Sequence, residues 1–362
     1  MLPRDVIAAG PLVLRPPVEA DAEAIVTACD DPVAAGWLAL PSPYTPDDAR
    51  AHLATAEARW RAGGAEYAIT EGGVRVGSVG VTPPDRWGAV SMGYLVAPGA
   101  RRRGVATTAA RAVTQWLFDQ GVHRVELQVA VENVASLLVA YRAGFHEEGR
   151  RREAKVARDG RRVDAIVLSR LAGEPGEGAP PYLPPFEGGE LTDGVVRLTP
   201  LAVSDAADYH TMMADPSVAV YRLGPRTTLE DDERRCRNTG YWWASGQRVE
   251  LAIRDAGSDV FTGHLQLMQV VPALGQAMVG YSLRPEFRGK GLMTRAVRLL
   301  VDWAFARTTL HRIVAGTDAT NTASHAVLHR AGFVRECVHR ELFPTADGSR
   351  SDDMQWVRLR PR

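Results

Sequence analysis

Two stretches set basic residues and glycine between an apolar run and a helical pattern: Arg101-Arg102-Arg103-Gly104-Val105-Ala106-Thr107 and Arg288-Gly289-Lys290-Gly291-Leu292-Met293-Thr294. Pro98 and Pro285 break the run ahead of each. Glycine lets the backbone turn with its amides unshielded. The helix that follows leaves its first N–H groups without partners and adds the positive end of its dipole. An anion belongs at such a corner, and the amide spacing suits a pyrophosphate. Two other phosphate motifs do not match. A Walker loop needs Ser or Thr after Gly-Lys, whereas Gly289-Lys290 is followed by Gly291, and the dinucleotide fingerprint needs a third glycine where Thr294 stands. A solvated basic turn is the plain alternative for one such loop. Its recurrence at the same place in both halves weighs against that alternative.

Other polar residues recur as well. Asn133 and Ser136 are matched by Asn321 and Ser324, Gly144-Phe145 by Gly332-Phe333, and Arg152-Glu153 by Arg340-Glu341. Gly93-Tyr94 and Gly280-Tyr281 align in the same way, as do Asp31-Pro32 and Asp215-Pro216. One unit occurs twice, so each function assigned to one half must be asked of the other. Residues 173–190, GEPGEGAPPYLPPFEGGE, are too rich in Gly, Pro and Glu to build a helix or a central strand. They predict a linker between domains at 1–172 and 191–362.

The elements that must position these residues follow from periodicity. Each half opens with a short strand-like run, Leu12–Arg15 or Val195–Leu198, and a helix-prone stretch carrying Asp and Ala. Antiparallel strands and turns follow, then a strand ending at Val96 or Leu283 and the basic loop. Ala109, Val113, Trp116 and Leu117, and Ala296, Leu299, Leu300 and Trp303, recur at helical spacing after it. A β-rich run comes next, so each half predicts an α+β unit with a mixed sheet.

Composition bounds the function. With 45 % hydrophobic and 24 % charged residues over 362, the chain is neither disordered nor collagen-like. Lys plus Arg and Asp plus Glu are both 43, so no net field holds a nucleic acid or an anionic membrane. No run of about 18 apolar residues and no signal-like start is present, and Cys29, Cys236 and Cys337 form no disulfide or zinc pattern. A cytoplasmic protein that binds neither nucleic acid nor membrane is expected.

Arg-x-x-Gly-x-Ala at Arg101–Ala106 and Arg-x-x-Gly-x-Met at Arg288–Met293 resemble the acyl-CoA-binding motif of the GCN5-related N-acetyltransferases. Asn-x-x-Ser followed by Gly-Phe, in both halves, is similar to their ribosomal-protein alanine acetyltransferase branch. The resemblance implies two tandem domains, each a splayed mixed sheet flanked by helices, packed as a pseudo-twofold pair in a monomer or homodimer. It implies that acetyl-CoA, or another acyl-CoA, lies in the gap. The backbone of Arg101–Thr107 and Arg288–Thr294 would hold its pyrophosphate. Leu95-Val96 and Ser282-Leu283 would pair with the pantetheine amides, and Asn133 and Asn321 would lie beside the arm. Met293 stands where Gly or Ala is usual, so its side chain is expected to narrow the second site.

Transfer of an acyl group from a thioester to a primary amine needs one weak base and one proton donor. The Tyr common in the family as donor is replaced by Ala140 and Leu328, which leaves Ser136 and Ser324, alternatively plain helix caps. Glu153 and Glu341 are candidate bases, alternatively members of exposed ion pairs, with Glu66 and Glu250 behind them. The three cysteines lack repeat partners and a matched His, which speaks against a cysteine nucleophile. His325 and His329 have no further ligands at matching spacing, so no metal is expected. The acceptor would be a peptide or protein N-terminus or a small amine. Alternatives are a single active half beside an acyl-CoA sensor or structural partner, and transfer to an antibiotic or peptide natural product from a longer or carrier-linked donor.

Overall fold

The computed structural model describes every residue except 1, 39, 158, 179, 180, 222, 223, 346 and 347. The chain separates into two units, Met1–Pro180 and Pro181–Arg362. In the first, β1 (Ile7–Ala9) and β2 (Leu12–Arg15) precede α1 (Ala22–Cys29), α2 (Pro32–Trp37) and α3 (Pro46–Arg61). Then come β3 (Ala65–Glu71), β4 (Val74–Val81), β5 (Ala89–Val96), α4 (Val105–Asp119), β6 (Arg124–Ala130), α5 (Val134–Arg142), β7 (His146–Val156) and β8 (Arg162–Leu171). The second unit repeats this order. Its elements are β9 (Leu191–Thr192), β10 (Val196–Pro200), α6 (Ala206–Ala214), α7 (Pro216–Ala219), α8 (Leu229–Ala244), β11 (Val249–Asp255) and β12 (Phe261–Val271). They continue with β13 (Gln276–Leu283), α9 (Leu292–Arg307), β14 (Arg312–Asp318), α10 (Thr322–Arg330), β15 (Val334–Pro344) and β16 (Arg350–Leu359).

Local chemistry fixes the helix starts. Thr45 and Thr228 close capping boxes with Asp48 and Asp231, the former with Pro46 at the first helical position. On α4 the apolar stripe Val105, Ala109, Val113 and Trp116 is buried, and α9 buries Leu292, Ala296, Leu300 and Trp303 in the same way.

Each unit is α+β, with strand order β1-β2-β3-β4-β5-β6-β8-β7 in one and its equivalent, β15-β16-β14-β13-β12-β11-β10-β9, in the other. The crossover through α4 makes β5 and β6 parallel, and their pairing covers only Ala89 to Ser91. Beyond Ser91, β5 stays with β4 as far as Val96, whereas β6 stays with β8 along its whole length. The sheet therefore opens, and one edge of Met92–Val96 has no strand partner. In the second unit β13 and β14 part after Met278 and Val314.

Part of the Gly/Pro/Glu stretch is built into the units. The Gly178 amide bonds the Arg142 carbonyl at 3.3 Å, and a Cβ on Gly178 would stand 1.7 Å from the Tyr141 carbonyl oxygen, so only glycine fits. Leu183 and Phe186 are buried in the second core, where the Phe186 ring meets Trp243 at 4.8 Å and Trp303 at 5.0 Å. Among the described residues no helix is long and apolar enough to cross a membrane.

Candidate active site

The two basic loops take one conformation. Gly104 and Gly291 cap α4 and α9 with φ of +80° and +77°, and no side chain caps either helix. A Cβ on Gly104 would meet nothing within 4 Å, so the backbone, not crowding, asks for glycine there. Arg102 and Gly289 are the second left-handed positions, at φ +62° and +76°. Successive amides then turn toward one point ahead of the helix, where the first-turn N–H groups of Val105, Ala106 and Thr107 have no helix carbonyl to bond.

The arginines divide their work. Arg101 reaches back, donating from Nε to the Val96 carbonyl at 3.2 Å and from Nη2 to Asp31 Oδ2 at 2.5 Å. That hydrogen bond helps hold the Asp31 carboxyl below the usual carboxylate range, and Asp31 also caps α2 through the Ala34 amide at 2.8 Å. Arg103 pairs with Glu71 at 2.6 Å. Exposed Arg102 and the loop amides are left for an anion. In the second unit Arg288 bonds the Leu283 carbonyl at 3.4 Å, Lys290 lies 5.1 Å from the centre of the Phe287 ring, and the backbone of Gly289 and Gly291 is exposed. Met293 does not crowd this loop as expected. Its side chain is buried in the core with Leu292, because its place in the first turn of α9 faces the sheet.

Asn133 and Asn321 cap α5 and α10, each accepting the amide of Ser136 or Ser324 at 3.1 Å. The asparagines do the capping, so the serine hydroxyls are free for other work. Ser136 Oγ lies 2.9 Å from the Tyr94 hydroxyl, and Ser324 Oγ lies 2.7 Å from that of Tyr281. Both tyrosines stand on the splayed segments of β5 and β13, beside Leu95-Val96 and Ser282-Leu283. Burial pushes the Tyr94 phenol up to about 12 against the opposing Ser136 bond, and it raises Tyr281 likewise. Both phenols are proton donors across the neutral range. Sequence reasoning missed them, although the repeated Gly-Tyr pairs were a signal.

The candidate bases are placed differently. Glu153 and Glu341 are exposed on bulges of β7 and β15, at φ +51° and +52°. Their amides bond Asp164 and Asp352 at 2.7 and 2.8 Å, and no hydrogen bond links their carboxylates to the Tyr–Ser pairs. Glu66 is buried on β3, paired with Arg59 and 3.5 Å from His52 Nε2 on α3. It lines a cavity of about 350 Å³ with His52, Tyr44, Ser78, Gly80 and Tyr94. The cavity thus reaches from the ionic cluster to the splayed strand.

The same place in the second unit is filled. Strand register sets His264 where Ser78 stands and Gln266 where Gly80 stands. Arg235 follows its capping threonine by the same interval as His52, and Tyr209 occupies the place of Ile25. His264 Nε2 lies 2.6 Å and Arg235 Nη2 2.7 Å from the buried Glu250 carboxylate, and the edge-on Tyr209 ring covers His264 at 5.1 Å. Burial raises the Glu250 carboxyl, but the His264 hydrogen bond and the Arg235 charge outweigh that and bring it to about 2.

A family model for the acetyltransferase (GNAT) domain matches residues 11–146 and, again, 196–334. The chain belongs to the GNAT family. Probable N-acetyltransferase YjcK of Bacillus subtilis (strain 168) is 32 % identical over 157 residues, covering 42 % of this chain and 87 % of the relative. Putative ribosomal N-acetyltransferase YdaF of the same organism is 39 % identical over 111 residues, or 31 % and 56 % of the two chains. A solved structure of Mycobacterium smegmatis RimJ in complex with CoA-disulfide is 26 % identical, with a TM-score of 0.42, covering 47 % of this chain and 86 % of that one. As a GNAT protein the chain is an acyl-CoA-dependent N-acetyltransferase. The splayed strands, unpaired first-turn amides and left-handed loops fit the donor: an extended pantetheine can complete the open edge of β5 or β13 and a pyrophosphate can meet the loop.

Proposed function

We propose that the first unit acetylates the N-terminal amine of a peptide or protein in a ternary complex, and that the second unit binds acyl-CoA without an acceptor cavity of the same kind. The observation that carries this reading is the cavity joining His52 and Glu66 to Tyr94. Its size suits one terminal residue of a chain, and the name of the relative YdaF points to a ribosomal acceptor. When bound, acyl-CoA supplies a thioester carbonyl and a thiolate leaving group. His52, oriented by Glu66, takes the proton of the incoming amine. Tyr94, supplied in turn by Ser136, gives a proton to the departing sulfur, and the open edge of Met92–Val96 aligns the donor. Glu153 is a second base for the same step, acting through water from its bulge.

The test is CoA release by the full chain with acetyl-CoA and panels of peptides and small amines, beside calorimetric titration with acetyl-CoA. Two binding sites are expected, one removed by Gly104→Asp and the other by Gly291→Asp, with peptide acetylation lost only in the former. His52→Gln lowers kcat by about a hundredfold with acetyl-CoA binding retained. Loss in Glu153→Gln instead moves the base to β7. Peptide turnover that survives Gly104→Asp overturns the assignment to the first unit, and turnover of small amines alone replaces the acceptor.

A further inference from the structure

The expectation that no cysteine has a histidine to work with fails at one place. On β15, Cys337 Sγ lies 3.6 Å from His339 Nε2, and His339 Nδ1 lies 3.0 Å from Asp353 Oδ2 on β16. Register puts His339 directly opposite Asp353 and Cys337 opposite Gln355, with bulges on both sides of the Cys337–His339 segment. The order from surface inward is that of a nucleophile, its base and the group that orients the base. Cys337 is exposed, His339 is partly exposed and Asp353 is 4 % exposed.

Three further observations point to use of this relay. The second oxygen of Asp353, Oδ1, is buried with no hydrogen-bond partner among the described residues, so it can accept an N–H from an incoming group. It lies where a Cβ on Gly316 would come within 2.8 Å, so the carboxylate needs glycine at that point of β14. Gly316 is two residues past Val314, the last residue of β14 paired with β13, which sets the relay on the wall of the donor gap. The first unit has Gly149, Arg151 and Ala165 at the equivalent register positions and no such relay. The relay therefore occurs in the unit whose acceptor cavity is filled by Glu250, His264 and Arg235.

We propose that Cys337 is a nucleophile that takes the acyl group from acyl-CoA bound in the second unit and holds it as an S-acyl cysteine. The step rests on the donor reading of that unit's loop. The Cys337 thiol passes its proton to His339 Nε2, and Sγ forms a bond to the acyl carbonyl carbon. The bond from that carbon to the coenzyme sulfur breaks, and His339 returns the proton to this sulfur. One thioester is exchanged for another with no change of oxidation state. A primary amine then takes the acyl group as an amide, its proton passing through His339 to restore the Cys337 thiol.

The test uses the full chain with acetyl-CoA and no amine, followed by peptide mass mapping, together with a donor-free readout, alkylation of Cys337 by iodoacetamide. One acetyl group is expected on Cys337, removed by neutral hydroxylamine and absent from Gly291→Asp, in which alkylation still proceeds. His339→Gln is expected to slow both reactions by about a hundredfold, and added imidazole to restore part of the rate in His339→Ala. Asp353→Asn, a change at the positioning residue, is expected to lower the labelling rate at saturating acetyl-CoA while half-saturation stays put. Cys337 left unlabelled while calorimetry shows acetyl-CoA on the second unit overturns the proposal, as does an alkylation rate equal in wild type and His339→Gln. Peptide acetylation with Cys337 unlabelled leaves the first-unit reading standing, whereas labelled Cys337 without amine turnover by the first unit does the reverse.

Discussion

A phenol that keeps its proton matters where a leaving group must gain one. Tyr94 sits beside Ser136 on the strand that opens, and burial holds its hydroxyl in the neutral form. The pair can pass a proton outward because Ser136 is relieved of capping by Asn133. Tyr94→Phe and Ser136→Ala are each expected to lower kcat for peptide acetylation by about ten- to a hundredfold, with KM for acetyl-CoA little changed. The double variant should lose little more than the worse single one, since the two act as one relay. Steady-state kinetics on the four proteins checks this.

At the scale of elements, the donor loop is a helix start held from behind. Gly104 must adopt φ +80°, and the space around it is open. Gly104→Ala therefore meets only backbone strain, about 1 kcal/mol, visible as a lower denaturation midpoint together with weaker acetyl-CoA binding. Asp31 tests the same loop from a distance, because it caps α2 and also holds Arg101. Asp31→Ala should cost about 1 kcal/mol through the lost cap and also weaken acetyl-CoA binding, although Asp31 is assigned no contact with the donor. Calorimetry separates these effects: a variant that loses stability but keeps its affinity would show that Arg101 does not brace the loop.

At the scale of the whole molecule, the duplication keeps one fold and changes what fills it. Both units splay the sheet at the same point, yet one keeps a cavity around Glu66 and the other packs Glu250 against His264 and Arg235. The two should respond differently to acid. Glu250 is held at about 2 in the folded chain against an unfolded value of 4.5. Its contribution is fully present above that unfolded value and is lost as pH falls toward 2. Unfolding of the full chain should show a Glu250→Gln variant less stable than wild type at neutral pH, with the gap closing on acidification. A gap that stays constant would mean that the ion network contributes nothing pH-dependent.

Much of this was legible in the residues themselves. The duplication, the α+β order and the two loops followed from spacing alone, because glycine and proline act through their own backbone and helix periodicity is local. Asn133 and Asn321 were legible as polar helix starts, but not which of Asn or Ser does the capping. That choice depends on where Tyr94 and Tyr281 stand across the sheet. Met293 was misjudged for a similar reason: sequence gives its place in the first helical turn, and only packing decides that it faces the core. The filled and open cavities, and the meeting of Cys337, His339 and Asp353, depend on strand register, bulges and β14–β16 pairing. Those are contacts between residues distant in the chain, and they exist only once the sheet has formed.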